Sequence, residues 1–311
     1  VSLLFNKAVT FLLHWLVIGA LSPALFGVIA RVKAFFAGKK GPSLLQPYFD
    51  LAKLFRKKCV YSSTTTWIFR ASPVVSLAVM LILSLMVPFG RFRAPVQFPG
   101  DILLVAYLLA LGRFFMILAA LDTGSSFEGM GASREAFFSC LSELALFMNF
   151  ITLSLLSESL SLSRMIGADI PMSWKGLDPV LLLVVGSFFI VLLAENCRIP
   201  VDDPDTHLEL TMIHEVMILD HSGVDLGYLL YASAMKLFLF FAILVSIIIP
   251  VRTGHPAVDT GIFLGGVFAM AVLVGIVESI MARLRLNRVR LLLLIAFALA
   301  FFSLIVTLWR N

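Results

Sequence analysis

Glu195-Asn196-Cys197-Arg198-Ile199-Pro200-Val201-Asp202-Asp203-Pro204-Asp205-Thr206-His207-Leu208-Glu209-Leu210, with His214-Glu215 shortly after, connects two strongly apolar runs near 177–196 and 225–249. Eight of the chain's 19 Asp and Glu residues lie between Glu195 and Asp225. The chain is 60% hydrophobic and only 14% charged, so it has few ionisable groups to place. Such groups are costly next to hydrocarbon unless they are paired or hydrated. Concentrating them here reads as a device for handling charge or protons.

Outward from this segment, the rest of the chain is built for lipid. A mean hydropathy of +1.01 and 28 phenylalanines exclude an ordinary soluble domain. A helix needs roughly 20 apolar residues to cross ~30 Å of hydrocarbon. Eight runs meet that length, at about 8–30, 73–89, 101–121, 136–156, 177–196, 225–249, 259–279 and 290–309. Lipid-facing backbone must satisfy its own hydrogen bonds, and no period-two alternation suggests a barrel. The expected fold is an all-α, polytopic membrane protein: one integral domain over 1–311, about eight transmembrane helices, cytoplasmic connections at 31–72, 122–135, 197–224 and 280–289, and amphipathic helices on the cytoplasmic side.

Lysines and arginines set the orientation. Fifteen lie on the side that holds the 31–72 and 280–289 connections, against seven on the other. Both termini are therefore expected outside, with the acidic segment in the cytoplasm. The +5 net charge follows from this topology and does not point to nucleic acid. The first apolar run starts too near residue 1 for a typical signal peptide. Cys59, Cys140 and Cys197 form no CxxC pair or ligand-spaced cluster, so no iron–sulfur cluster is expected in this chain.

Each connection has its own pattern. Leu44, Leu45, Tyr48, Leu51, Ala52 and Phe55 recur at helical spacing, with Lys53, Arg56, Lys57 and Lys58 near the end of the stripe. This reads as an interfacial helix, its cations turned toward phosphates or a partner. The Gly- and Ser-rich 122–135 connection reads as a flexible loop. In the acidic connection, Asp203 and Pro204 suit the start of a helix running to about Asp220, with Ser222-Gly223 as its stop. His207, His214 and His221 would then share a face, ~10 Å apart along the axis and too far apart for one metal ion. The acids do not converge on one point, and suit successive stations on a path better than a metal cage.

Arg113, Glu143 and Lys236 fall within apolar spans, and Glu195 and Glu278 close two others. For Arg113 and Lys236 the alternatives are a buried ion pair or a snorkelled side chain. No basic residue lies within a turn or two of Glu143 in sequence, which reads as a lone buried carboxylate suited to proton uptake.

Three segments carry a family resemblance: Gly41-Pro42-Ser43-Leu44-Leu45-Gln46-Pro47-Tyr48-Phe49-Asp50-Leu51-Ala52-Lys53-Leu54, the stretch from Arg134 to Glu143, and that from Ala194 to Glu215. The chain resembles subunit 1 of respiratory complex I (NADH:quinone oxidoreductase). It more closely resembles the counterpart in group 4 membrane-bound nickel–iron hydrogenases of the formate hydrogenlyase and hydrogenase-4 type. The resemblance implies a subunit that anchors a peripheral electron-transfer arm to a prokaryotic cytoplasmic membrane and couples redox change to proton or sodium movement. It places Glu143, Glu195, Asp202, Asp205, Glu209 and Glu215 on an ion path; Lys236 and Glu278 join them from their position in the spans. Arg113, Arg134, Arg198, His207 and His214 are expected to tune or hold that path, and Gln46, Asp50, Lys53 and Arg56 to face the peripheral arm. Iron–sulfur and nickel–iron centres belong, on this resemblance, to partner subunits, next to antiporter-like membrane neighbours. A quinone enters only in the alternative, complex I-like reading. The short first motif, Phe138 where the family has glutamine, and Asp205 and His207 in the acidic string all favour a hydrogen-converting partner over a quinone site. An independent secondary transporter, and a scaffold whose charges merely pair, are the remaining alternatives.

Overall fold

The computed structural model describes residues 2–89, 94–166, 178–203, 212–250 and 255–310. Its helices are α1 (Ser2–Phe36), α2 (Gln46–Phe55), α3 (Trp67–Met86), α4 (Asp101–Asp122), α5 (Ser126–Ser157), α6 (Leu162–Met165), α7 (Pro179–Glu195), α8 (His214–Met217), α9 (Gly223–Ile248), α10 (Pro256–Ile280) and α11 (Leu286–Arg310). Among the described residues, seven helices are long and apolar enough to cross a membrane: α1, α3, α4, α5, α9, α10 and α11. Helix α7, with 17 residues, is the shorter eighth, at the lower end of what spans hydrocarbon. The protein is an all-helical, multi-pass membrane protein.

Local chemistry sets several boundaries. Asp178 accepts from the Val180 N–H with Pro179 at the first helical position, a cap that opens α7. Thr66 caps α3 in the same way through Ile68 N, and Asp122 at the end of α4 accepts from both the Thr66 N–H and its hydroxyl. Pro47 in the first turn of α2 starts that helix, so the Gln46-Pro47 pair is a beginning and not an interruption. Tyr48 of α2 donates to the Ala20 carbonyl of α1.

Helix α9 is the hub, packed by α1, α2, α3, α7 and α10. Its most apolar window is 78% buried, against 28–50% for the other spans. Phe238 and Phe241 are fully buried there among Phe188, Leu83 and Met86. Helix α11 lies along α5 and α7, and α3 along α4. Hydrogen bonds gather the connections into two ends. At one, Val60 N reaches Ser222, Asp220 N reaches Glu128, and Leu284 N reaches the Pro200 carbonyl. At the other, Asp101 binds Ser161 and the Leu162 N–H, and Arg310 binds Asp178.

Three expectations change. The 122–135 connection is mostly helix: α5 begins at Ser126. Gly131 permits this, because a Cβ there would run into the Val216 side chain of α8. That glycine serves close helix packing and not a turn. Second, the helix expected over 203–220 is not continuous: among the described residues only His214–Met217 is helical there. Consequently His214 and His221 do not share a helical face. Third, Ser222-Gly223 starts α9, with Ser222 as the preceding cap residue and Gly223 at φ +56.

Candidate functional site

Four helices converge on Arg113, more than halfway along α4. At ~1.5 Å rise per residue it lies ~18 Å from the Asp101 end, deep in the apolar span. Its Nη1 binds Glu143 of α5, and its Nη2 donates to Glu195 Oε2 at the end of α7 at 2.5 Å. Glu143 is therefore not a lone carboxylate. The sequence hid its partner because Arg113 sits on the neighbouring helix. Lys236 of α9 completes the group, 2.9 Å from Glu195 Oε2 and 2.6 Å from the Glu195 carbonyl. Ser142 donates to Glu195 Oε1 at 2.6 Å. Glu195 thus has a donor on each carboxylate oxygen and two cations against it.

Glu135, which sequence reasoning missed, also reaches this cluster. It stands 3.4 Å from Arg113 Nε. The helical spacing of Glu135, Ser139 and Ser142 was the available signal, obscured by the Gly- and Ser-rich residues before it.

A second group forms around Glu278 of α10, whose side chain is fully buried. Arg198 approaches it at 3.5 Å and Lys33 of α1 at 3.3 Å. The Arg198 guanidinium also lies over the Phe26 ring, 4.5 Å from its centroid, a favourable cation–π placement.

Asp202 anchors the acidic connection. One oxygen accepts from the Ile213 and His214 N–H groups at 3.0 and 3.1 Å. The other accepts from Asp203 N and pairs with Arg283 at 2.8 Å. Asp202 thus holds the start of α8; the residues that Asp203 was expected to cap, from Pro204 on, lie outside the described residues. Arg134 donates to the Met212 carbonyl at 2.9 Å and steadies the same segment. Asp205, His207 and Glu209 lie outside the described residues.

Three cavities meet along these residues. The largest, about 330 Å³, is bordered by Lys33, Gln46, Asp50, Arg198, Glu215 and Glu278. A second of about 60 Å³ borders Arg113, Glu135, Glu195 and Lys236. Asn196, Cys197, His214 and Ser233 form the wall common to both. A third of about 10 Å³ lies against Glu135, Ser142, Glu195 and Cys197. The smallest has room for about one water and the middle one for a few. Cys197, at φ +50, borders all three. Burial, with Glu135 and Asp202 nearby, pushes its thiol well above the usual range. Burial and Lys236 hold His214 down to about 4, against the opposing pull of Asp202, so it is neutral at pH 7.

Of the residues expected to face a partner, Asp50 binds Gln46 at 2.9 Å and lies 3.6 Å from Lys53, all three on or near the surface. Arg56 is exposed at the end of α2. Among the described residues no group of three or more His, Cys, Asp or Glu is arranged to hold a metal ion.

A sequence model of the family described as NADH dehydrogenase matches residues 8–308. The chain is 29% identical over 282 residues to formate hydrogenlyase subunit 4 of Escherichia coli, covering 89% of this chain and 91% of the relative. It is 32% identical over 231 residues to hydrogenase-4 component C of the same organism, covering 74% and 71%. A subunit of the NADH-quinone oxidoreductase of Anaplasma phagocytophilum is 30% identical over 230 residues, covering 68% and 63%. A chain in the structure of the membrane-bound sulfane sulfur reductase, an archaeal respiratory membrane complex, matches with a TM-score of 0.80 at 20% identity, covering 97% of this chain and 99% of that one; that likeness is one of fold.

Proposed function

This chain belongs to the NADH dehydrogenase family, and on that premise we propose that it is the membrane-anchoring, energy-coupling subunit of a group 4 hydrogenase complex. The observation that carries this reading is the ion-pair network joining α4, α5, α7 and α9, with cavities leading to it from the acidic connection. Mid-membrane charges are retained where they are paired or used, and a network flanked by cavities that can hold water suits use.

In this reading, electrons move through iron–sulfur and nickel–iron centres in partner subunits, and this chain holds no redox centre of its own. Those subunits dock at the end that carries α2, in the cytoplasm, and both termini lie on the outer side of a prokaryotic cytoplasmic membrane. A redox change there shifts the 198–215 segment, and through it the charge balance around Arg113. The displaced charge leaves past Glu143 toward antiporter-like neighbours. The relatives that are hydrogenase components and span most of this chain support this partner class.

The test is Glu143→Gln in the purified complex, reconstituted into sealed vesicles. Ion movement per hydrogen turned over should fall at least tenfold, and an unchanged ratio would sink the reading.

One observation favours a second reading, a quinone-site subunit. An apolar groove of about 610 Å³ opens between α1, α2 and α9, bordered by Trp15, Pro23, Tyr48, Phe55 and Tyr231. Co-purification in mild detergent separates the two: a nickel–iron large subunit supports the first, an NADH-oxidising arm with quinone reduction the second.

A further inference from the structure

Arg113 spends its three nitrogens unequally. Nη1 and Nη2 are committed to Glu143 and Glu195, whereas Nε is buried and makes no hydrogen bond among the described residues. The group it faces is Glu135, 3.4 Å away, beyond a good charge-assisted bond of about 2.7–2.9 Å. Glu195 is fully supplied with donors, whereas among the described residues the Glu135 carboxylate has only this one ion pair, with Lys236 farther off across the shared cavity. Glu135 also borders both smaller cavities. It is the slack joint in an otherwise tight cluster.

The same stretch of α5 is gripped by the acidic connection. Arg134, next to Glu135, holds the Met212 carbonyl. One turn earlier, Gly131 lies so close to α8 that an added Cβ would meet Val216, with the Ile213 carbonyl at 3.0 Å and Met217 at 3.1 Å. A shift of residues 212–217 must therefore move the first turns of α5, since packed interiors transmit displacement.

We propose that Glu135 is the movable, proton-bearing group of the network, and that residues 212–217 set its distance from Arg113 through Gly131 and Arg134. The inference rests on the energy-coupling reading above. With residues 212–217 in one position, the ionised Glu135 carboxylate closes on Arg113 Nε. Displaced from it, the carboxylate loses its nearest cation and takes up a proton that enters from the cytoplasmic side and is relayed through water in the adjoining cavities, becoming a neutral acid. On return, Arg113 favours the ionised form again, and the proton passes to the Glu143 side. No electron moves in this step, and each proton taken up is released.

The experiment compares Glu135→Gln, Glu135→Asp and Glu143→Gln in the reconstituted complex, reading protons moved per hydrogen turned over. Glu135→Gln keeps the shape but cannot carry the proton, and should lower the ratio at least tenfold; Glu135→Asp should keep a measurable fraction. Equal ratios for the Gln and Asp variants, or a parental ratio in Glu135→Gln beside a lost ratio in Glu143→Gln, overturn the inference while leaving the energy-coupling reading intact. Parental ratios in both Gln variants overturn the reading itself. Should Glu135→Gln fail to assemble, Gly131→Ala supplies the test: it should lower the ratio, and adding Val216→Ala should restore it by making room. A Gly131→Ala complex at the parental ratio overturns the proposed linkage.

Discussion

The Asp202 carboxylate meets the Arg283 guanidinium at 2.8 Å, tying the acidic connection after α7 to the short link between α10 and α11. Asp202 is 1% exposed, and its other oxygen holds the Ile213 and His214 N–H groups. One side chain thus joins Asp203, Ile213 and His214 and moors them to a third segment.

Removing that charge should loosen the start of α8 without unfolding the bundle. Asp202→Ala removes the acceptor of the Ile213 and His214 N–H groups and one partner of Arg283, a change of about 3–5 kcal/mol at most on the scale of a buried pair broken from one side. Limited proteolysis of the detergent-solubilised complex should show faster cleavage beside Ile213 and His214, and unchanged cleavage would contradict this role for Asp202.

Arg113 should be the least replaceable residue in the spans. Arg113→Leu strands Glu135, Glu143 and Glu195 against Lys236 alone, and should destabilise the subunit by several kcal/mol on the same buried-pair scale of about 3–5. Lower yield and a lower Tm are the measurements. Arg113→Lys keeps the charge but not the three-way fork, so it should assemble better than the Leu variant yet couple poorly.

Stability should depend on pH through His221. Its ring stacks on Phe69 at 3.9 Å and is 5% exposed, and burial lowers it to about 4 against the opposing effect of Asp225. A free histidine titrates near ~6.5. Between those values the unfolded chain binds the extra proton, so stability is complete above about pH 6.5 and falls as pH drops toward 4. The full effect is on the order of 3 kcal/mol. His221→Phe preserves the stack and should flatten this part of a Tm-against-pH curve. His214, lowered in the same direction, leaves a residual slope that His221→Phe does not remove.

Gly223 should resist any side chain. It sits at φ +56, and a Cβ would lie 2.5 Å from the Lys58 carbonyl. Gly223→Ala therefore combines left-handed backbone strain, about 1–2 kcal/mol, with a clash that pushes residues 57–60 off the start of α9. Faster maleimide labelling of Cys59 would report the displacement, and labelling at the parental rate would argue against it.

The spans were legible because each helix must satisfy its own backbone in lipid, so length and hydropathy suffice to find it. Arg113, Glu143, Glu195 and Lys236 were each found the same way, as charges in apolar runs. Glu135 was missed because the glycines and serines before it read as a loop, whereas Gly131 is small for the sake of Val216. The helix expected over 203–220 is broken at 212–213 for a related reason: Asp202 captures the backbone at 213 and 214, an interaction that spans 11 and 12 residues and has no local signature.

The sequence by itself determined that the chain crosses the membrane repeatedly, which residues put charge inside it, and where acids gather. Tertiary structure alone decided who meets whom. Arg113 finds Glu143 and Glu195 across 30 and 82 positions, and Lys236 finds Glu195 across 41. Periodicity tells which face of a helix a residue occupies; only the packing of one helix against another tells what that face touches.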